Sequence, residues 1–323
     1  MILPSLLVLA VVAALSGAAF LVLWLDRYKT EPVIRLVLVA LWGVLCPLLF
    51  RLAGPTLGLV VDIDPMPGTL AALPTAWVLE ELLLAAGLAV LATSHYLEGP
   101  LDGAVYGTVA GLGFAAVQSL GAFHDGWVPP DPSVPVLLTL VRAAATAAVG
   151  AGIGFAKLAL RASMRVPCAL ATVLVAGLAQ WLLLRAAVWG WSVWGPRNIP
   201  FDLALIVGAA LLLAGVFQGA LALERRVLTR QLADEVALGV LPSWVVGVLP
   251  SFRRRIRSAW WRRRDERREI VRLLISLAFR KQRLRGLSEE RARLYGLEVG
   301  RLRQRARTLL ALAPDATLNP ETG

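Results

Sequence analysis

Histidine is almost missing from this chain: it occurs twice in 323 residues, at His95 and His124. Both fall in short connectors between apolar stretches. Those connectors lie on opposite sides of any membrane the stretches cross, so the two imidazoles cannot meet at one metal site. Cysteine is as scarce. Cys46 and Cys168 each sit inside an apolar stretch. With no CxxC spacing and no second pair, a disulfide framework and a zinc cluster are both excluded. Charge is thin as well: 17% of residues are Asp, Glu, Lys or Arg, against about 25% in a soluble domain. A positive n-region before the first apolar stretch is also lacking, and the stretch is longer than the core of a cleaved leader. It therefore reads as a retained span.

What the chain does have is apolar length. Hydrophobic residues make up 58% of it, and a helix needs about 20 of them in succession to cross a bilayer. Seven segments qualify, near residues 2–25, 33–53, 69–92, 103–123, 135–162, 166–188 and 201–222, separated by Pro- and Gly-containing connectors. The fold class is all-α: a polytopic transmembrane helix bundle of about seven spans with a basic, partly helical cytoplasmic tail. Domain organisation follows composition, with a membrane domain over 1–223 and a tail over 224–323. The tail holds 23 Lys/Arg and 11 Asp/Glu, a net +12, whereas the preceding residues hold 10 and 11, a net −1. A tail of this kind is drawn to anionic lipid headgroups on the cytoplasmic leaflet. It carries no recognition motif for nucleic acid beyond its charge, and no nucleic-acid partner is expected. The Lys/Arg-bearing connectors around Arg27–Arg35 and Lys157–Arg165 fall on the tail's side, which places the N-terminus outside, the tail in the cytoplasm, and the protein in the cell membrane. Trp189, Trp191 and Trp194 would then belong to the outer aromatic belt. Within the tail, Leu273, Leu277, Leu284, Leu294, Leu297 and Leu302 suggest short amphipathic helices broken near Gly286.

Ionisable groups at bilayer depth are expensive and mark functional positions by default. Four stand out: Glu80 and Glu81 near the middle of the third span, then Arg142 and Arg185. Neighbouring helix positions point about 100° apart. One glutamate is therefore expected to face a cavity while the other pairs with Arg142 or Arg185. The pair reads equally as an acid–base site or as an ion pair locking spans together. The following span carries Gly103, Gly107 and Gly111 at every fourth position, a face that lets helix backbones approach closely. Gln118 lies further along that span and is expected near the glutamates, where it reads either as part of the site or as interhelical hydrogen-bond glue.

These segments resemble the PrsW-type intramembrane proteases. LDRYKTEPVIRLVLVALWG is similar to their first cytoplasmic turn and second span, VLEELLLAAG to their paired-glutamate motif, and LEGPLDGAVYGTVAGLGFAAVQSL to their next span. RQLADEVALGVLPSW and the basic LAFRKQRLRG stretch resemble bacterial tails of the family. The resemblance implies a glutamic-type protease, related to the CAAX-processing membrane proteases, that cuts single-span membrane-anchored regulators in a bacterial inner membrane. Glu80 and Glu81 match the pair. Gln118 occupies the position of a further glutamate, making it a degenerate catalytic position. Arg142 matches the arginine that opens the fifth span, and Phe114, Asp102 and Tyr106 are supporting residues in the matching span. No metal and no cofactor are expected.

The match breaks at several points. The lysine that follows the pair in the family is Leu84, Ser119 replaces an Asn, and residues 143–150 contain no histidine. Nor does LVAGLAQWLLL, where Gln180 and Trp181 are the only polar or polar-tipped residues. Gln can orient a water but cannot take its proton. The losses point to a protein with reduced or no proteolytic activity that binds a membrane partner. An active protease working with the glutamate pair alone is one alternative. A proton-linked transporter is another, although no inverted repeat supports it.

Overall fold

Proline starts two of the helices closest to the glutamates: Pro74 and Pro100 stand at first helical positions, where a missing N–H costs nothing. The computed structural model describes residues 33–53, 74–94, 97–124, 133–159, 161–194, 199–249, 264–284 and 289–311. The apolar helices are α1 (Val33–Ala53), α2 (Pro74–Thr93), α3 (Pro100–His124), α4 (Ser133–Ala159), α5 (Ala162–Trp194) and α6 (Ile199–Ala237). A short α7 (Trp244–Val248), then α8 (Arg264–Leu284) and α9 (Glu289–Ala311), complete the described chain. No strand occurs among the described residues.

Five of these helices, α1, α3, α4, α5 and α6, are long and apolar enough to cross a membrane. The protein is thus a multi-pass membrane protein. The first predicted span, residues 2–25, and His95 lie outside the described residues. The third predicted span corresponds to α2. Its 20 residues measure about 30 Å at 1.5 Å per residue, and it packs against α1, α4 and α5.

The bundle closes around α4. Its densest contact is with α3, and glycine makes it possible. A Cβ on Gly103 would run into the carbonyl of Gly150, and one on Gly150 into the carbonyl of Gly103. A Cβ on Gly107 would strike the Thr146 carbonyl, and one on Gly111 would stand 2.9 Å from the Arg142 carbonyl. The glycine stripe seen in the sequence is therefore matched by a facing stripe on α4. Gly43 and Gly113 bring α1 against α3 in the same way. At the far end of α5, Trp189 stacks edge-on against Trp194, and Trp194 against Phe201 of α6, at centroid distances of 5.9 and 5.4 Å.

The tail is more than a charged extension. Helix α6 has 39 residues and is about 58 Å long, nearly twice the hydrocarbon thickness of about 30 Å. It runs unbroken through residues 223 and 224, and its final turns carry Leu228 and Leu232 into an apolar core with Val245, Leu274, Phe279 and Ala306. Two helices flank Gly286, of 21 and 23 residues, longer than the short helices expected from the sequence. Leu273 is buried in that core and Leu277 is buried as well, while Leu294 and Leu297 are exposed. Arg303 of α9 grips Glu235 with both Nε (2.7 Å) and Nη2 (2.6 Å), and Lys281 of α8 adds a third contact at 2.9 Å. Such a forked pair is among the stronger charged contacts.

The turn between α2 and α3 is held from three sides. Lys157 of α4 donates to the Ser94 carbonyl (2.6 Å). The Leu101 N–H donates to Glu224 Oε1 of α6 (2.9 Å), so an anion sits at the N-terminus of α3, where the helix dipole favours it. Arg283 of α8 donates to the carbonyls of Leu97 (3.3 Å) and Glu98 (2.7 Å). A Cβ on Gly99 would push the Glu224 carboxylate from its place. Replacing Arg283 with Ala removes its donor from two buried carbonyls and is expected to cost about 1–3 kcal/mol. Limited proteolysis should then cut the 94–99 turn faster than in the wild type. Equal cutting rates would mean that α8 does not hold this turn.

Candidate functional site

The glutamate pair, one arginine and one glutamine meet in the interior of the bundle. Arg142 of α4 has a fully buried side chain. Its Nη2 donates to Glu80 Oε2, and its Nη1 donates to Glu81 Oε1 at 3.2 Å. Both carboxylates therefore share one guanidinium. This corrects the expectation that one glutamate would face a cavity while its neighbour took Arg142 or Arg185. The planar guanidinium presents donors on more than one edge, and its reach compensates for the divergence of adjacent helix positions. Arg185 instead lies 5.8 Å from the Trp181 ring.

Two aromatic rings close over the cation. The Arg142 Cζ atom is 4.1 Å from the Phe114 centroid and 4.9 Å from that of Trp77, both within cation–π range. Trp77 precedes the glutamates by one turn of α2, and Phe114 faces them from α3. The Thr146 hydroxyl, one turn beyond Arg142, bonds the Arg142 carbonyl at 3.0 Å and lies 3.3 Å from Glu81 Oε1. Gln180 of α5 completes the set. In the amide orientation that satisfies both its atoms, its nitrogen donates to Glu81 Oε1 at 2.9 Å. Its oxygen then lies against the guanidinium, 3.0 Å from Arg142 Nε and 3.2 Å from both terminal nitrogens.

The predicted residues thus divide. Glu80, Glu81, Arg142 and Phe114 come together. Gln118 is one turn beyond Phe114 and half-buried, with no hydrogen bond to either glutamate among the described residues. Asp102 is 12 positions before Phe114, about 18 Å along the helix. Its carboxylate accepts the Glu98 N–H at 2.8 Å, so it belongs to the α2–α3 turn. Tyr106 is buried in an apolar cluster with Leu84 and Leu88 of α2. Sequence reasoning missed Thr146, Trp77 and Gln180 as members of the centre. The signal for Gln180 was present, since it is the one amide in the apolar run of α5.

One acceptor is left over. Glu81 Oε2 is buried and has no hydrogen-bond partner among the described residues. It is the position where a water could be held against a carboxylate. The other contacts work against base chemistry: oxygens already accepting guanidinium protons are poorly placed to take one from water.

A family profile described as PrsW family intramembrane metalloprotease matches residues 31–182, the stretch holding Glu80, Glu81, Phe114, Arg142 and Gln180. No curated protein and no solved structure matches the chain. The description names a metal. Among the described residues, no group of three or more His, Cys, Asp and Glu side chains could hold one. A catalytic zinc takes three protein ligands from these types. Here the two carboxylates are already engaged by Arg142, and the third polar group is an amide. The donor set does not fit a metal ion.

Proposed function

Because the chain belongs to the PrsW family of intramembrane proteases, we propose that it keeps the family scaffold, has reduced or no proteolytic activity, and acts by binding a single-span membrane partner. The observation that carries this reading is that one buried guanidinium engages both glutamates. Glu80 and Glu81 face a buried guanidinium and an amide, where peptide hydrolysis needs an activated water and a proton donor for the leaving nitrogen.

A lateral cavity of about 340 Å³ supports the binding half of the proposal. It lies between α4 and α5, lined by Ala144, Ala148, Ala171, Val175 and Ala179, and reaches Gln180. Small side chains of this kind let a second helix approach closely within a bilayer. The basic tail is read as facing anionic headgroups on the cytoplasmic leaflet of the cell membrane, with the N-terminus outside.

The second reading is an active protease, and Glu81 Oε2 favours it as a buried acceptor able to hold water. A reconstituted cleavage assay with a panel of single-span substrates separates the two. The expected result is that wild type and Glu80→Gln/Glu81→Gln are equally inactive, while a histidine-containing relative cuts the same panel. Cleavage by the wild type that disappears in the double variant overturns the first reading and establishes the second.

A further inference from the structure

We infer that Arg142 is the resident cation of this centre, standing between Glu80 and Glu81 where a divalent metal would stand in a metalloprotease, and that the centre takes up no metal ion. Of the proposed function, this uses only the family assignment. It holds whether or not the chain cuts a partner, so its test and the cleavage assay can fail separately.

Geometry carries the inference. A metal shared by two carboxylates needs their oxygens at about 2.0–2.2 Å. The oxygens that face each other across the centre, Glu80 Oε2 and Glu81 Oε1, are the ones that accept from Nη2 and Nη1 of Arg142. An ion bound between them would meet the guanidinium head-on, at low dielectric, with charges of the same sign.

The guanidinium cannot relieve that conflict. It stays charged at any accessible pH, unlike a lysine, so it cannot yield by losing a proton. Nor is there space to swing aside. Its side chain is fully buried, its Cζ lies near the Phe114 and Trp77 rings, and the Arg142 carbonyl abuts Gly111.

The remaining donors point the same way. Gln180 spans Glu81 and Arg142 with both amide atoms, and the Thr146 hydroxyl bonds the Arg142 carbonyl. Neither is a ligand type that zinc selects. Cys46, a better zinc ligand, is buried in the apolar core formed by α1, α2 and α3, yet it does not join the glutamates in a cluster able to hold a metal. Protein groups thus already occupy the space between the two carboxylates and engage their facing oxygens, and metal would have to displace that network.

The test uses the full-length chain in detergent. Wild type and Glu80→Gln/Glu81→Gln are stripped with EDTA, equilibrated with zinc chloride, exchanged into metal-free buffer and measured for metal per protomer. The expected result is substoichiometric zinc, equal in the two proteins. One equivalent of zinc in the wild type that is missing from the double variant overturns the inference. The second measurement needs no variant: the Tm of the wild type in EDTA and in zinc should coincide, and a Tm that falls on chelation overturns it independently.

Discussion

Arg142→Met is expected to lower the unfolding free energy by about 3–5 kcal/mol, the range for removing one partner of a buried ion pair. The reason is what remains behind. Glu80 and Glu81 lie in the bundle interior with side chains 11% and 0% exposed, and neither can recover its lost donors from water. Met keeps most of the volume between Phe114 and Trp77, so the loss reports on charge more than on a cavity. Unfolding by denaturing detergent or by heat, followed by circular dichroism, measures it. The companion measurement places Arg142→Met in a Glu80→Gln/Glu81→Gln background. There the carboxylates are already neutral, and the second loss should be much smaller. The difference is the coupling energy of the centre. Equal losses in both backgrounds would sink the idea that the arginine acts through the glutamates.

Gly107→Leu is expected to be the most disruptive single change in the bundle. Overpacking a core costs about 1–3 kcal/mol where side chains can shift, and more where they cannot. At Gly107 the obstacle is the backbone carbonyl of Thr146, so only separation of α3 from α4 makes room. That movement draws Phe114 away from Arg142 and breaks the centre at a distance. Gly208 and Gly219 on α6 are the controls. A Cβ there meets nothing within 4 Å, and Gly→Ala in a helix interior is favourable by about 0.5–1 kcal/mol. A Tm that falls sharply for Gly107→Leu and holds for Gly208→Ala and Gly219→Ala supports the close-approach account. Similar shifts at all three sites would refute it.

The part of this structure legible in the sequence is the part governed by periodicity and punctuation. Apolar runs of sufficient length gave the positions of the helices, and Pro74 and Pro100 lie at the starts of two. Glycines at every fourth residue of α3 announced the tight α3–α4 contact, because no side chain can stand where two backbones touch. The glutamate pair and Arg142 were visible as charges at a depth where charge is costly. What could not be read was which groups converge. Gln118 and Gln180 look alike as lone amides in apolar helices, and only the packing of α5 against α2 and α4 decides that Gln180 reaches the centre. The sharing of one guanidinium by two adjacent glutamates was hidden for a different reason. Helix geometry argues against it until the breadth of the arginine head group is considered. The tail's core was hidden too: α8 reads as an amphipathic helix, but the residues it packs against on α6, α7 and α9 come from separate stretches of the chain that no local pattern joins.

The corner joining α2 to α3 bears on how the chain is made. Its three clamps come from residues 63, 123 and 185 positions later than the groups they hold. A growing chain emerges from the ribosome in sequence order. The helix with the glutamates therefore enters the membrane long before Glu224 or Arg283 has been synthesised. Until then, the N-terminus of α3 and the carbonyls of Leu97 and Glu98 must make do with water. Contacts this distant in sequence form slowly, because a large loop must close before any of them is rewarded. Helices translated later, α6 and α8 among them, thus close a corner whose own residues were made long before. A ribosome that stalls in the tail would leave the membrane part inserted but unlatched, the form in which quality-control proteases would meet it.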